Sequence, residues 1–179
     1  MQWRDVISFW FDELSPEQWF KKDPELDQTI KDEFLEVHNQ AIMGELDDWR
    51  MSPLGRLAEV IVLDQFSRNI YRNQPESFLY DNLALVLAQE GIRQKADQNI
   101  ERKKQSFFYM PFMHSESLVI HRHAMQLFDQ PGMEYNLEFE RKHFAIIERF
   151  GRYPHRNEIL GRTSTEEEVE FLKGPDSSF

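Results

Sequence analysis

Apolar residues recur every three or four positions along most of the chain, and this spacing predicts one buried face on each of several α-helices. The predicted stripes lie at residues 3–14, 26–41, 54–62, 83–92, 119–128 and 144–150, and a short last helix reaches Leu172. Alternation of apolar and polar residues, which would indicate strands, is lacking, and the chain holds only seven glycines. We therefore expect an all-α fold with six or seven helices joined by short loops, arranged as an antiparallel bundle.

Residues that favour helix ends flank these stripes. Asp23-Pro24 and Ser52-Pro53 each place a capping side chain before a proline at the first helical position. Gly44 and Gly151 each follow a stripe, at a place where glycine commonly ends a helix. Further capping candidates are Asp81, Ser115, Ser164 with Glu167, and Thr165 with Glu168. These signals predict where the helices begin and end.

The composition narrows the class of protein. A chain of 179 residues can bury its own core, and we expect one domain over residues 1–179 with a frayed tail at 173–179. Cysteine is absent, which excludes disulfide and thiolate chemistry and favours a cytoplasmic location. The N-terminus does not resemble a signal peptide, and no apolar run approaches the about 20 residues that span a membrane. A formal net charge of −11 argues against nucleic acid as a partner.

One segment departs from this acidic composition. The arginine-rich segment, which we define as Arg141–Arg162, begins as an amphipathic helix and continues through Gly151 and a proline-containing turn. Its polar residues of interest are Arg149, Arg152, His155, Arg156, Asn157 and Arg162. Because arginine presents a planar fork of donors that suits carboxylate and phosphate, this segment is the first candidate for a functional site.

Standard catalytic signatures are missing from the sequence. Phosphate-loop, dinucleotide-binding, nucleophile-elbow and zinc-protease motifs are all absent, so no cofactor is implied. Glu140 and His143 have the E-x-x-H spacing of di-iron bundles, but a second such pair is lacking. We therefore expect no metal site and interpret Glu140 and His143 as a pair on a helix surface.

Several longer stretches carry a resemblance to a known family. They include SPEQWF, GELDDW, LDQFSRNIYR, FFYMPFMHSE, GRYPHRN and LGRTSTEEEVEFL. Together they resemble the bacterial "domain of unknown function 924" family from about Phe9 to Leu172. The resemblance implies a helical fold similar to the tetratricopeptide-like superhelix, and it implies no activity that could be carried over. The family pattern has proline where this chain has Ser67, which predicts a less rigid turn after Phe66.

Three polar sets stand among aromatic residues at predicted helix ends. The sets are Asp64, Arg68 and Asn69; His114 and Glu116; and Arg149, Arg152, His155, Arg156 and Asn157. If the three helix ends meet, these side chains form one polar site. Neither periodicity nor spacing shows that they meet.

Three functions fit these sets. Unpaired arginines, with Asp64, Arg68, Asn69 and Asn157, would bind a small anionic ligand or an acidic peptide. Alternatively, His114 with Glu116, or His155 with Asp64, would supply general acid–base catalysis on a small anionic substrate. In the third, Asp64, Glu116 and Glu148 neutralise the arginines in an internal ion-pair network, and the polar motifs are structural scaffold. Neither a nucleic acid nor a membrane is expected as a partner, and the oligomeric state is open.

Overall fold

The structure is a computed structural model that describes residues 1–178. Within this range the chain is helical and contains no β-strand, which confirms the all-α prediction. The α-helices are α1 (Trp3–Ser8), α2 (Pro24–Ile42), α3 (Pro53–Ile61), α4 (Ser67–Ile70), α5 (Glu76–Leu79), α6 (Asp81–Arg93), α7 (Arg102–Met113), α8 (Leu118–Phe128), α9 (Glu134–Phe150) and α10 (Glu166–Phe171). None of the helices formed by these described residues is long and apolar enough to cross a lipid bilayer.

The chain folds as two compact units. Unit 1 consists of Met1–Arg72 and Glu76–Pro111, and unit 2 consists of Asn73–Pro75 and the described residues from Phe112 onward. The polar set with Asp64 therefore belongs to unit 1, and the other two sets belong to unit 2. The single domain over residues 1–179 stays a prediction. In the predicted tail, Ser177 is buried, and Phe179 lies outside the described residues.

Aromatic side chains fill the core of unit 1 around two π-helical segments, Phe9–Glu13 and Val62–Phe66. The ring of Trp10, from the first segment, lies 5.6 Å from the ring of Phe66, from the second, in an edge-on contact. The second segment joins α3 to α4 in one continuous helical run, so the turn expected after Phe66 is wrong. Ser67 is instead a fully buried residue at the start of α4.

Local signals predicted several helix ends correctly. The Asp23 carboxylate accepts hydrogen bonds from the first backbone N–H groups of α2, and Gly44 follows that helix with a φ of 75°. Thr165 and Glu168 form the predicted capping box at the start of α10. Two capping predictions are wrong. The N-cap of α8 is Ser117, not Ser115, and Asp81 lies within the first turn of α6.

Unit 2 is built on the packing of α8 against α9. Ile146 and Ile147 of α9 pack with Tyr153, which follows the end of that helix. Gly151 ends α9 with a φ of 68°, in the left-handed region that suits glycine, and the chain then enters a 3-10 turn at Pro154–Arg156. The chain after Gly151 thereby packs back against α9 through Tyr153.

Candidate functional site

Arg152 is engaged by a carboxylate of the last helix. Its Nε donates to Oε1 of Glu168 at 2.7 Å and its Nη2 donates to Oε2 at 2.8 Å, which is a bidentate pair. Nη2 also donates to the carbonyl of Thr163 at 3.0 Å. The hydrogen bond from Arg152 lowers the pKa of Glu168 to about 2. Arg152 therefore fastens the start of α10 to the loop that follows α9.

Arg162 forms a second bidentate pair, with Glu116. The two nitrogen–oxygen distances are 2.7 and 2.9 Å, and the backbone N–H of Tyr153 donates to the same carboxylate at 2.7 Å. Burial acts to raise the pKa of Glu116, but the hydrogen bonds from Arg162 and Tyr153 outweigh it, so the pKa is lowered. The Glu116 carboxylate thus binds an arginine and a backbone amide. Two interactions were predicted for Glu116, one with His114 as an acid–base pair and one with the arginines as an internal ion pair.

Asn157 connects the two arginine–glutamate pairs. Its Oδ1 accepts from Nε of Arg162 at 2.9 Å, and its Nδ2 donates to Oε2 of Glu168 at 3.2 Å. A further hydrogen bond joins Nδ2 to the hydroxyl of Ser164 at 3.0 Å. Because Asn157 is fully buried, these contacts hold the loop in one arrangement.

Two further arginines of the segment, Arg149 and Arg156, differ in burial. Arg149 is exposed, pairs with Glu167 at 2.8 Å and lies over the ring of Phe150. Arg156 is buried, donates to the carbonyl of His114 at 3.0 Å and lies over the ring of Tyr153 at 4.6 Å.

Sequence reasoning did not identify the acceptors on α10. Glu167 and Glu168 were considered only as capping residues, although an acidic first turn close to an arginine-rich segment was a signal for ion pairing.

His121 lies at the centre of unit 2 and is fully buried. Its Nδ1 lies 2.7 Å from Oε1 of Glu140, and its Nε2 lies 2.8 Å from the carbonyl of Ser115. A carbonyl only accepts, so Nε2 carries a proton, and it also lies 3.1 Å from the hydroxyl of Tyr153. Burial raises the pKa of Glu140, although His121 opposes that rise. His121 and Glu140 therefore share a proton between Nδ1 and Oε1.

His143 is also buried, and its Nδ1 donates to the carbonyl of Phe139 at 2.8 Å. Burial, together with the charges of His114, His121 and His155, lowers the pKa of His143 to about 3, although the hydrogen bond to Phe139 acts to raise it. The interpretation of Glu140 and His143 as a surface pair is wrong, because both face the interior of unit 2.

We refer to His114, His121, His143 and His155 as the histidine cluster. Three of its rings lie near the ring of Tyr153, with centroid distances of 6.2 Å for His121, 5.7 Å for His143 and 5.5 Å for His155. His114 and His155 are half-buried, whereas the other two are buried. The cluster therefore has a buried side and a partly exposed side.

The polar set of unit 1 is also paired. Arg68 donates to both oxygens of Asp81, at 2.9 and 3.0 Å, and lies 3.5 Å from the buried carboxylate of Asp64. Asn69 donates to Asp27 at 2.8 Å, and Arg72 donates to both oxygens of the same carboxylate. Asp64 lies in unit 1 and His155 in unit 2, and their interaction stays a prediction.

Metal ligands are not gathered anywhere in residues 1–178: no three His, Asp or Glu side chains are arranged to hold an ion. The ring nitrogens of His121 and His143 bind instead to the Glu140 carboxyl, to backbone carbonyls and to Tyr153.

Known proteins resemble the chain over nearly its whole length. Residues 6–176 match the model of a family described as bacterial protein of unknown function (DUF924). The chain is also similar to the structure of a protein of unknown function, ATU0120, from Agrobacterium tumefaciens. The two share 38% sequence identity with a TM-score of 0.91, over 96% of this chain and 97% of that one. No curated protein matches the chain.

Proposed function

The chain belongs to the DUF924 family of bacterial proteins, and we propose, from the geometry of unit 2, that it is a helical protein that binds a small anionic ligand. The proposed site is the partly exposed side of the histidine cluster, formed by His114 and His155 with Arg156. The observation that carries the proposal is the convergence of three imidazoles and one guanidinium around Tyr153, with His114 near enough to act electrostatically on His143.

The paired arginines act in this proposal as supports for the site. Arg152 and Arg162 are each matched by a bidentate carboxylate, and such pairs fix the geometry of the loop that carries His155 and Arg156. An anion gains little from a guanidinium whose charge is already balanced. The ligand role that the sequence suggested for Arg152 is therefore transferred to the histidines.

An anion is favoured because neighbouring imidazoles repel one another's positive charge. His143 displays this repulsion, since the other three histidines act to lower its pKa. A bound carboxylate or phosphate would offset the repulsion and stabilise the protonated form of a nearby imidazole. Because histidine ordinarily titrates at about pH 6.5, affinity is expected to increase as the pH falls from about 8 to about 6.

Isothermal titration calorimetry with inorganic phosphate, and separately with a short polyglutamate peptide, tests the proposal. We expect about tenfold tighter binding at pH 6 than at pH 8, equivalent to about 1.4 kcal/mol. His114→Gln and His155→Gln should each reduce this gain. His123→Gln is the matched control, because His123 is an exposed histidine on α8. Affinity that is independent of pH, or unchanged in both cluster variants, would contradict an anion site here.

A structural scaffold is the second candidate, supported by the network that links Arg152, Glu168, Asn157, Arg162 and Glu116. In that case the network stabilises unit 2 and no small anion binds. Catalysis by His114 with Glu116 receives less support, because the carboxylate of Glu116 is held by Arg162 and by the backbone of Tyr153.

A further inference from the structure

A second histidine environment, in unit 1, is independent of the anion site. The hydroxyl of Ser67 donates to the carbonyl of Leu63 at 2.6 Å. Its oxygen therefore accepts from Nε2 of His38, which lies 2.8 Å away. Burial lowers the pKa of His38 to about 4, so the imidazole is neutral near pH 7. It follows that Nδ1 carries a lone pair and is a hydrogen-bond acceptor.

Among the described residues, none donates a hydrogen bond to this acceptor. His38 is fully buried, and across the described part of the chain its Nδ1 has no hydrogen-bond partner. A buried acceptor without a donor is unfavourable, and most such atoms in proteins are paired. A molecule that brings an N–H or O–H group to Nδ1 would remove this defect.

Aromatic rings and a carboxylate surround the same imidazole. The ring centroids of Tyr71 and Tyr80 lie 5.4 and 5.3 Å from that of His38, at interplanar angles of 64° and 73°. Both tyrosines are half-buried. Burial raises the pKa of Tyr71, and the charges of Tyr80 and of the Glu76 carboxylate raise it further.

We propose that His38, Tyr71, Tyr80 and Glu76 form a binding site for a small primary ammonium ion. An N–H group of the ion donates to Nδ1 of His38, and the two tyrosine rings stabilise its charge by cation–π contact. The Glu76 carboxylate supplies the counter-charge, and the neutral imidazole does not repel the cation. A ligand with both a positive charge and an N–H donor uses every one of these groups.

The charge preference separates this site from the one proposed in unit 2. The histidine cluster is predicted to bind anions more tightly at low pH. The His38 site is predicted to bind cations. Failure of either proposal therefore leaves the other unaffected.

Three probes of similar size test which property the site recognises. Methylammonium has both charge and N–H donors, tetramethylammonium has charge without a donor, and methanol has a donor without charge. The readout is the ¹⁵N chemical shift of His38 Nδ1 at pH 7.5, which responds directly to a new hydrogen bond. We expect a saturable shift with methylammonium and little or none with the other two. An Nδ1 shift that none of the probes alters would mean that a buried water occupies the site, and would overturn the proposal.

Variants on the two sides of the imidazole complete the test. Tyr80→Leu should weaken methylammonium binding about tenfold, since it removes one cation–π contact. Glu76 is half-buried at the start of α5, so Glu76→Gln should weaken binding without disturbing the fold. This variant keeps the proposal testable if Tyr80→Leu misfolds. Tyr135→Leu is the matched control, because Tyr135 is an exposed tyrosine in unit 2. Equal affinity in wild type and Glu76→Gln would also overturn the proposal.

Discussion

His38 in unit 1 and His121 in unit 2 are both fully buried histidines on helices, yet their surroundings differ. Within residues 1–178, His38 hydrogen-bonds to the hydroxyl of Ser67 and packs against the rings of Tyr71 and Tyr80. His121 has partners at both ring nitrogens, including the buried carboxyl of Glu140. The comparison shows that burial alone does not determine the behaviour of an imidazole.

The two histidines differ because, in the part of the chain that the structure describes, only His121 has a carboxyl group with which to share a proton. Without a carboxyl partner, burial lowers the pKa of His38 and leaves the ring neutral. With a carboxyl partner, one proton is shared between imidazole and carboxyl, so the pair stays in the interior without a net charge. Unit 2 therefore encloses a titratable pair, and unit 1 encloses a neutral acceptor.

Removing the carboxyl partner of His121 is expected to have the largest effect. Glu140→Ala leaves Nδ1 of His121 without its partner and opens a space in the interior, at a cost of about 3 kcal/mol in the free energy of unfolding. Urea denaturation at pH 7 measures this loss. Glu138→Ala, an exposed glutamate on the same helix, is the control and should change stability little. Similar values for the two variants would contradict the role assigned to Glu140.

Lowering the pH should destabilise the protein through His38, the buried histidine that has no carboxyl partner among the described residues. The folded-state pKa of His38 is about 4, below its ordinary value of 6.5, so the unfolded chain binds a proton that the folded chain refuses. This contribution to stability is complete above pH 6.5 and is lost as the pH falls towards 4. Between pH 7 and pH 5 the free energy of unfolding should fall by about 2 kcal/mol because of His38.

The measurement is the loss of unfolding free energy from pH 7 to pH 5 in wild type and in His38→Gln. The variant has no titrating group at this position, so its loss should be smaller by that amount. Parallel pH profiles for the two proteins would show that burial does not suppress protonation of His38.

Removing the Ser67 hydroxyl, which binds His38, should have an intermediate effect on stability. Ser67→Ala leaves the Nε2–H group of His38 buried without an acceptor, which is expected to cost about 1 kcal/mol. Chemical denaturation at pH 7 tests this. A neutral or stabilising effect would mean that the hydroxyl does not satisfy the imidazole.

The same contrast between exposed and buried groups applies to two arginine pairs, Arg149 with Glu167 and Arg152 with Glu168. Their removal is expected to change stability least. Arg149→Ala should change stability by about 0.5 kcal/mol or less, because both members of its pair with Glu167 are exposed. Arg152→Ala should lower the melting temperature more, because its partner Glu168 is buried. If phosphate binding survives this change, Arg152 is a support for the site. If binding is lost while the melting temperature is unchanged, Arg152 itself contacts the ligand.

Local sequence signals predicted the helical class and many of the helix ends. The cap at Asp23, the glycines at 44 and 151 and the capping box at Thr165 all act within one helical turn. Such interactions depend only on neighbours in the chain, so their sequence pattern is sufficient to identify them.

The buried faces of the helices and the ion-pair partners of the arginines were predicted less well. Val119 was assigned to the buried side of its helix and is exposed, whereas Glu140 and His143 were assigned to a surface and are buried. The arginine-rich segment was recognised, but its carboxylate partners on α10 were not. The superhelical arrangement of the helices stays a prediction.

Spacing and capping, which are properties of neighbouring residues, were enough to make this an all-α chain with its main helices and a conspicuous arginine-rich segment. Which charges are neutralised, and which histidines are enclosed, depended on contacts such as Arg162 with Glu116 and His121 with Glu140, across 46 and 19 positions of the chain. Such pairings form only when helices pack, because desolvation and hydrogen-bond geometry act between atoms that are close in space. No periodicity along the chain records them.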